Sequence, residues 1–451
     1  MLKENPQDKG QDELFRSRLD QIIDMRHPLV KMSQLIAWDA LEAAFKNYYC
    51  SDNGRPGGSI RLMAGLLLLK EIKGISDETV CQEWSENPYF QYFCGETFFQ
   101  HRFPVEPPSL SYFRKRIGQE GFERLLQETI TLGLKTETVS RKDVARVNVD
   151  TTVQEKVIKF PTDTQLCHTA REKLVELVEE QGYRLRQNYR RKSKEDLLKA
   201  NRYFAARHIN RARKVAKCVR NYLGRVMRET ERLTANDPQL AVCVHEALQK
   251  ARIIHKQAGD KKCKEKLYSY HAPEVECIAK GKAHKAYEFG VKVSVATTQA
   301  RNFIVGALAI HKKPYDGHTL KPALEQVLRV TGIVPKEAYV DLGYRGHGIE
   351  ASSGTTVILP RQKRGLTKAM HKRKKRRHAI EPVIGHCKHD RAVGPRNFLK
   401  GIVGDQINAL AMAIGFNLRK ILRKIFLCLF YRWLITLIEQ SRTYRASYQI
   451  A

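Results

Sequence analysis

Strand texture begins in this chain, breaks off for a long helical block, and then resumes, and few folds tolerate that order. Val144, Arg146, Asn148 and Asp150 alternate with Ala145, Val147, Val149 and Thr151, the period-two pattern of a half-buried strand that ends at an acidic residue. Val153–Phe160 continues the texture, and from Leu166 to about Gln257 the pattern is helical, with Leu174, Leu177 and Val178 on one face and Val215, Val219, Leu223 and Val226 further on. Strands return at Glu274–Lys280, Tyr287–Ala296 and Phe303–Ile310. The helical block is therefore an insertion within a mixed α/β domain, not a separate terminal one. Downstream, Pro314–His318 opens a helix to about Val330, with His318 read as a helix-start residue. The apolar run Ala338–Val340 then stops at Asp341, Thr355–Leu359 forms a further strand, and the basic run Lys372–Arg377 leads into a helix carrying Glu381.

Upstream, residues to about 137 read as helical. Leu14, Leu19, Ile22 and Ile23 form an amphipathic stretch, Ser59–Lys73 is an apolar buried helix, and Ser76 caps the next one with Asp77 and Glu78 in its first turn. Ser109–Gly118 opens a helix bearing Arg114, Lys115 and Arg116, which suits either DNA-end recognition or helical packing and oligomerisation. The expected division is a helical domain over 1–137, a mixed-sheet domain over 138–165 and 275–420, a basic insertion over 166–274, and a helical tail over 421–451.

Charge narrows the partner. The chain has 80 Lys and Arg against 48 Asp and Glu, a formal net charge of +32, and a surplus of this size calls for a polyanion. Between Arg184 and Arg232 there are seventeen Lys and Arg and four acids, with Tyr183, Tyr189, Tyr203, Phe204 and Tyr222 interspersed. This face can grip a phosphate backbone; its aromatics either stack on bases or fill the core of a helical hairpin. Met1–Gly10 is polar and reads as no signal peptide, while Ile425–Ile438 is short for a membrane span and interrupted by Arg432, so it reads as a packed terminal helix or a partner-binding face. The ten cysteines form no Cys-x-x-Cys pair, which argues against zinc and for reduced thiols. The expected location is the bacterial cytoplasm, in association with the nucleoid.

Within Arg377–Lys388, RHAIEPVIGHCK, the residues Arg377, Glu381 and Lys388 recur at steps of four and seven. On a continuous helix they share a stripe, which is either a solvated ion-pair ladder or a phosphate-handling face. Asp150 and Asp341, each placed at a strand end, are the carboxylates that can converge with Glu381. Glu350 and Asp390 compete for the third place, but Glu350 lies only nine residues past Asp341 and Asp390 lacks the matching cation spacing.

Three blocks carry a resemblance: DTTVQEKVIKFPTDTQL (Asp150–Leu166), YVDLGYRG (Tyr339–Gly346) and RHAIEPVIGHCK. They resemble the acidic blocks of DDE transposases of the insertion-sequence-five group, in the wider insertion-sequence-four-like class. In that class the third block reads Tyr-(2)-Arg-(3)-Glu-(6)-Lys. Here Arg377, Glu381 and Lys388 keep the spacing and Lys374 stands where the Tyr would fall. PGGSIRLMAGLLLLKEIKGISDE resembles the helical leader of the same group.

The resemblance implies an RNase H-like fold with Asp150, Asp341 and Glu381 as catalytic residues and ligands of Mg2+ or Mn2+, two ions in all. It implies contacts to DNA from Arg377, Lys388, Lys374, Arg376 and Arg345. The expected partners are double-stranded DNA, both transposon ends and target, and further copies of the chain in a dimer or larger active complex, with no membrane. The expected function is cleavage and strand transfer at the terminal inverted repeats of an insertion sequence. An endonuclease that cuts without joining, or an inactive DNA-binding protein, are the alternatives.

Overall fold

The computed structural model describes residues 17–50, 57–282, 285–350, 354–362, 365–389 and 396–448. Leu14, the Met1–Gly10 segment and Asp390 lie outside them. The chain divides into two compact units, one of residues up to Gln154 together with those from Lys292 on, the other Glu155–Val291.

The first unit opens with α1 (Leu19–Ile22), α2 (Pro28–Leu35), α3 (Trp38–Lys46), α4 (Ile60–Lys73), α5 (Asp77–Glu86), α6 (Pro88–Phe93), α7 (Pro107–Lys135) and α8 (Arg141–Val144). Helix α4 is apolar on nearly every side and buried along its length, which only a helix enclosed by others can be. The Ser59 hydroxyl caps it by accepting from Leu62 N at 3.2 Å, and Ser76 does the same for Thr79 N of α5 at 3.1 Å. Helix α7 breaks at Gly118, whose φ of 56° and ψ of −157° lie outside the helical region, a conformation that a side chain would strain. Arg114, read from the sequence as part of a basic helix, is buried and donates to both Asp77 carboxylate oxygens, at 2.8 and 2.5 Å. It fastens α7 to α5.

The strands of this unit are β1 (Arg146–Glu155), β3 (Lys285–Thr298) from Lys292 on, β4 (Ile304–Ile310), β5 (Glu337–Tyr339) and β6 (Thr356–Ile358). Their order is β4–β3–β1–β5–β6. β4 and β3 are antiparallel, and Gln299 N donates to Arg146 O at 2.9 Å where β3 ends beside the start of β1. β1 and β5 are parallel, with Asn148 beside Tyr339, and so are β5 and β6. Helix α13 (Asp316–Thr331) joins β4 to β5. Helix α14 (Lys368–Lys375), a 3-10 turn (Arg376–Ala379), α15 (Ile380–His389) and the 48-residue α16 (Gly401–Tyr448) follow β6.

β4 is an edge strand, and such an edge needs cover. Side-chain amides supply it. Asn417 of α16 accepts from Ile304 N (3.0 Å) and donates to Ile304 O (2.8 Å), while Gln406 accepts from Ala309 N (2.7 Å) and donates to Ala307 O (2.9 Å). Gln326 of α13 accepts from Ala307 N at 2.8 Å. Asn417 also donates to Thr129 Oγ1 of α7 at 3.2 Å, so one side chain ties α16, β4 and α7 together. The N-terminal helices thus share a core with the sheet in a single unit, because α16 packs on α2, α4, α7 and β4 alike.

The second unit holds β2 (Glu276–Lys282), paired antiparallel with the first part of β3, and the helices α9 (Asp163–Glu180), α10 (Arg190–Ala205), α11 (Ile209–Asn236) and α12 (Pro238–Gly259). The unit runs from Glu155 to Val291, so it takes in the first half of β3 and, of β1, only Glu155. Leu174, Val178, Val219, Leu223, Val244 and Ile254 are among its core residues. Three of the tyrosines are held by neighbours within the unit. Tyr189 and Tyr222 stack with centroids 4.7 Å apart, the Tyr222 hydroxyl donates to Asp196 Oδ2 at 2.8 Å, and the Tyr183 hydroxyl donates to Asp237 Oδ2 at 2.5 Å. On α11 the residues Arg211, Lys214, Arg225, Arg228 and Arg232 are exposed. At 100° per residue they fall within one arc of roughly 100°, opposite the buried Ala212, Val219, Leu223 and Val226.

Candidate active site: three carboxylates around Arg377

Asp150 lies within β1, not at its end, since the strand runs on to Glu155. What makes it reachable is the shortness of its neighbour. β5 pairs only with Arg146, Val147 and Asn148, so beside Asp150 the adjacent strand has already ended and the chain has turned at Asp341 into a 3-10 turn (Leu342–Tyr344). Two carboxylates from parallel neighbours thereby meet where β5 ends beside the middle of β1.

The third arrives through Arg377. The expected helical stripe is broken: Arg377 belongs to the 3-10 turn Arg376–Ala379, whereas Glu381 begins α15 and Lys388 lies in its last turn. The tighter turn directs Arg377 into the protein, where its side chain is only 6% exposed. Its Nη2 stands 3.1 Å from Asp150 Oδ2 and 3.7 Å from Asp341 Oδ2, and its Nη1 stands 3.6 Å from Glu381 Oε1. One guanidinium holds all three acids. His378 Nδ1 also lies 3.0 Å from Glu381 Oε1.

The acids differ in exposure, with Asp150 at 19%, Asp341 at 52% and Glu381 at 57%. Burial drives the Asp150 carboxyl above its usual range. The Arg377 charge and the Thr151 N–H, which donates to Asp150 Oδ1 at 2.8 Å, pull it back down, and the charges of Asp341 and Glu381 push it up again. Arg377 is thus the principal counter-charge of the buried Asp150 carboxylate.

Behind Asp150 stands a second cluster that the sequence did not bring forward. Asp316, in the first turn of α13, accepts from Thr151 Oγ1 at 3.0 Å and from Lys292 Nζ at 2.9 Å. Lys292 also donates to Pro314 O at 2.7 Å, locking the start of α13 to β3. Because Thr151 touches both Asp150 and Asp316, it fixes the peptide at the Asp150 carboxylate. The cluster's signal in the sequence is an acid within Pro314–His318, the segment that opens this helix.

The flanking cations are divided between structure and surface. Arg373 donates to Tyr339 Oη and to Glu337 Oε1, each at 2.9 Å, and clamps α14 onto β5. Lys374 donates to Gln362 O at 2.8 Å, and Arg376 donates to Gln299 O and Ala300 O at 3.1 and 2.6 Å. Arg345 is exposed on the segment after Asp341, and Lys388 is half-buried. Glu350 is exposed, and Arg377's three partners do not include it.

Among the described residues, no group of three or more His, Cys, Asp or Glu side chains is gathered closely enough to hold a metal ion. The three carboxylates face the guanidinium instead. In kind they fit a hard divalent cation, which takes oxygen ligands. Asn148, two residues before Asp150 on the same face of β1, is fully buried with neither side-chain polar atom hydrogen-bonded among the described residues, and Arg377 Nε is in the same condition. Buried polar groups without partners mark a site whose bonding is completed by something else.

A mixed α/β sheet with acids brought from β1, the end of β5 and α15 onto one buried arginine defines an α/β protein with a three-carboxylate centre. Residues 17–116 match a family model described as a transposase domain (DUF772). Over 200 residues the chain is 44% identical to the uncharacterized protein ORF8 in the nfe locus of Rhizobium meliloti, a stretch covering 44% of this chain and 96% of that protein. The chain therefore belongs to one family with that Rhizobium protein, and its residues 17–116 are similar to a transposase domain. No solved structure matches it, and no described helix is long and apolar enough to cross a membrane.

Proposed function

We propose that the chain is a DDE transposase that cuts and joins DNA at the terminal inverted repeats of an insertion sequence of the insertion-sequence-five kind. The observation that carries this reading is the convergence of Asp150, Asp341 and Glu381 on Arg377 from three separate segments. The strand order β4–β3–β1–β5–β6, with the first three strands antiparallel and the last three parallel, supports an RNase H-like reading of the sheet.

Asp150, Asp341 and Glu381 would hold Mg2+ or Mn2+, two ions in all, which when bound activate a water or 3′-hydroxyl and stabilise the departing oxygen of an in-line displacement. The chain's own residues do the remainder. Thr151 and Asp316 fix the Asp150 carboxylate, and Arg373 holds α14, and with it the turn bearing Arg377, against β5. Arg345, Lys388 and the exposed side of Arg376 offer cations to phosphates on the open side of the acids, with Lys374 beside them. Arg377 would balance the charge of the acids and offer what remains of its own to a DNA phosphate at the scissile end. On α11 the exposed cationic arc suits the phosphate backbone of duplex DNA.

The test is an excision assay in cells. A marker flanked by the element's two ends is carried on a plasmid, and the chain is supplied in trans. The reading expects excision and reinsertion with the wild type and neither with Asp150→Asn, Asp341→Asn or Glu381→Gln at equal protein levels. Marker loss without reinsertion would give the endonuclease reading instead, and undiminished activity in Glu381→Gln would remove that residue from the site.

A further inference from the structure

In the second unit a glutamate sits where buried donors offer more hydrogen bonds than it accepts. Arg171 of α9 is fully buried, as is Ser193 of α10, and His168 is 6% exposed. Glu172 Oε1 stands 3.2 Å from His168 Nε2 and 3.3 Å from Arg171 Nη2. Arg171 Nε and Nη2 nevertheless make no hydrogen bond among the described residues. These two atoms form one edge of the guanidinium, a fork that receives two oxygens of one anion. Buried donors left open in this way call for an acceptor.

The rest of the cluster is held in place. Arg171 Nη1 donates to Asn188 O at 2.7 Å, and His168 Nδ1 lies 2.8 Å from Ser193 Oγ. Both bonds set the donors against the start of α10, the positive end of that helix. Facing a carboxylate, which only accepts, His168 Nε2 carries the ring proton, and Nδ1 accepts from the Ser193 hydroxyl. Burial holds the imidazole below its usual pKa; Glu172 pulls it up, and Arg171, Lys159 and Lys194 push it down. Lys159 and Lys194 are exposed and make no ion pair among the described residues. Two further acids of α9 are already matched, Glu176 with Lys173 and Glu179 with Arg190, each at 2.6 Å. Of these three acids, Glu172 is the one left to balance Arg171 and the two lysines.

We propose that His168, Arg171 and Lys194 form a phosphate-binding site in which Glu172 is the resident carboxylate that a phosphate group displaces. A carboxylate presents two oxygens in one plane, whereas a phosphate presents its oxygens at the corners of a tetrahedron. A single phosphate can therefore accept from the Nε and Nη2 edge of Arg171 and from His168 Nε2 together, while the exposed Lys194, next to Ser193, adds charge at the rim. The Glu172 side chain is 41% exposed, so it swings into water without disturbing the core. The site belongs to the second unit, and it does not rest on the reaction assigned to the three carboxylates of the first.

Free phosphate and a phosphate of a nucleic-acid backbone share this chemistry, and two titrations of the full chain at constant ionic strength separate them. Inorganic phosphate is followed by calorimetry, and a short DNA duplex by fluorescence anisotropy. Glu172→Gln is expected to tighten binding about 5-fold and Lys194→Gln to weaken it about 2-fold, the sizes of partly exposed charge pairs. Glu176→Gln, which removes an acid one turn further along α9, is expected to change it less than ~2-fold. Tightening of the duplex by Glu172→Gln makes the backbone the source of the phosphate; tightening seen by calorimetry alone makes it a free phosphate. If Glu172→Gln tightens neither ligand, or Glu176→Gln tightens them as much, the proposal is overturned and Glu172 is a structural ion-pair residue only.

Discussion

Replacing Arg377 with Gln removes the one cation that three acids share, and the cost should depend steeply on pH. The Arg377–Asp150 pair is 6% and 19% exposed, and removing one partner of a buried pair costs about 3–5 kcal/mol. Asp341 and Glu381 are more than half exposed, so water screens their share to about 1 kcal/mol or less each. The buried carboxylate has an escape, which is to take up a proton. From an ordinary value near 4 that costs at most about 5 kcal/mol at pH 7.5 but only about 1 kcal/mol at pH 4.5. The sign follows from proton binding: a carboxyl whose pKa is raised by folding holds its proton more tightly in the folded chain, so stability falls as pH rises from the unfolded value through the folded one. Burial already raises Asp150, and losing Arg377 raises it further. We expect Arg377→Gln to lose about 3 kcal/mol at pH 7.5 and about 1 kcal/mol or less at pH 4.5 relative to the wild type. Urea unfolding followed by tryptophan emission reports on the right unit, because Trp38 and Trp84 are buried in α3 and α5. An equal loss at both pH values would refute the electrostatic reasoning and leave Arg377 as a packing residue.

Asn417→Ala should cost about 1–3 kcal/mol in the same assay, because it strips the amide and carbonyl of Ile304 of their partner on the covered edge of β4; a change under about 0.5 kcal/mol would mean water replaces it freely. Gly415→Ala should destabilise as well, since a Cβ there would stand 2.6 Å from the Glu71 carbonyl oxygen of α4, and unchanged stability would show that α16 shifts at no cost. On α11, Lys214→Gln with Arg228→Gln should weaken duplex binding equally across sequences and reduce the slope of log affinity against log salt by about two. An unchanged slope in fluorescence anisotropy titrations would place the duplex elsewhere.

The parts of the fold that could be read from sequence are those set by local pattern. The alternation at Val144–Thr151, its return at Glu274 and the cap at Ser76 each report a period or a hydrogen bond within a few residues. The alternation reads as a strand ending at Asp150, with strand texture taken up again at Val153, yet β1 runs unbroken to Glu155. Its exposure comes from β5 stopping at Tyr339, a property of another segment. Likewise the spacing of Arg377, Glu381 and Lys388 suggested one helical stripe, and a 3-10 turn at Arg376–Ala379 instead sends Arg377 inward. Asp316, Thr151 and Lys292 were missed because each is unremarkable in its own window and they meet only after β1, β3 and α13 pack. Tyr183, Tyr189 and Tyr222 are base-stacking or core residues by composition alone; in the structure all three are half-buried, held by Asp237, by Asp196 and by the stacking of Tyr189 on Tyr222.

The most direct test of the central claim is strand joining by the purified chain. A labelled duplex ending in the element's terminal repeat, with its 3′-hydroxyl already exposed, is incubated with target plasmid and Mg2+. Product is scored for the wild type and for Asp150→Asn, Asp341→Asn and Glu381→Gln, each first shown to bind the duplex. Joined product is expected with the wild type, none when Mg2+ is chelated, and none with any of the three variants. Joining that persists in the Asp150→Asn and Asp341→Asn variants would contradict it, because the reaction would then be carried by groups other than the acids around Arg377.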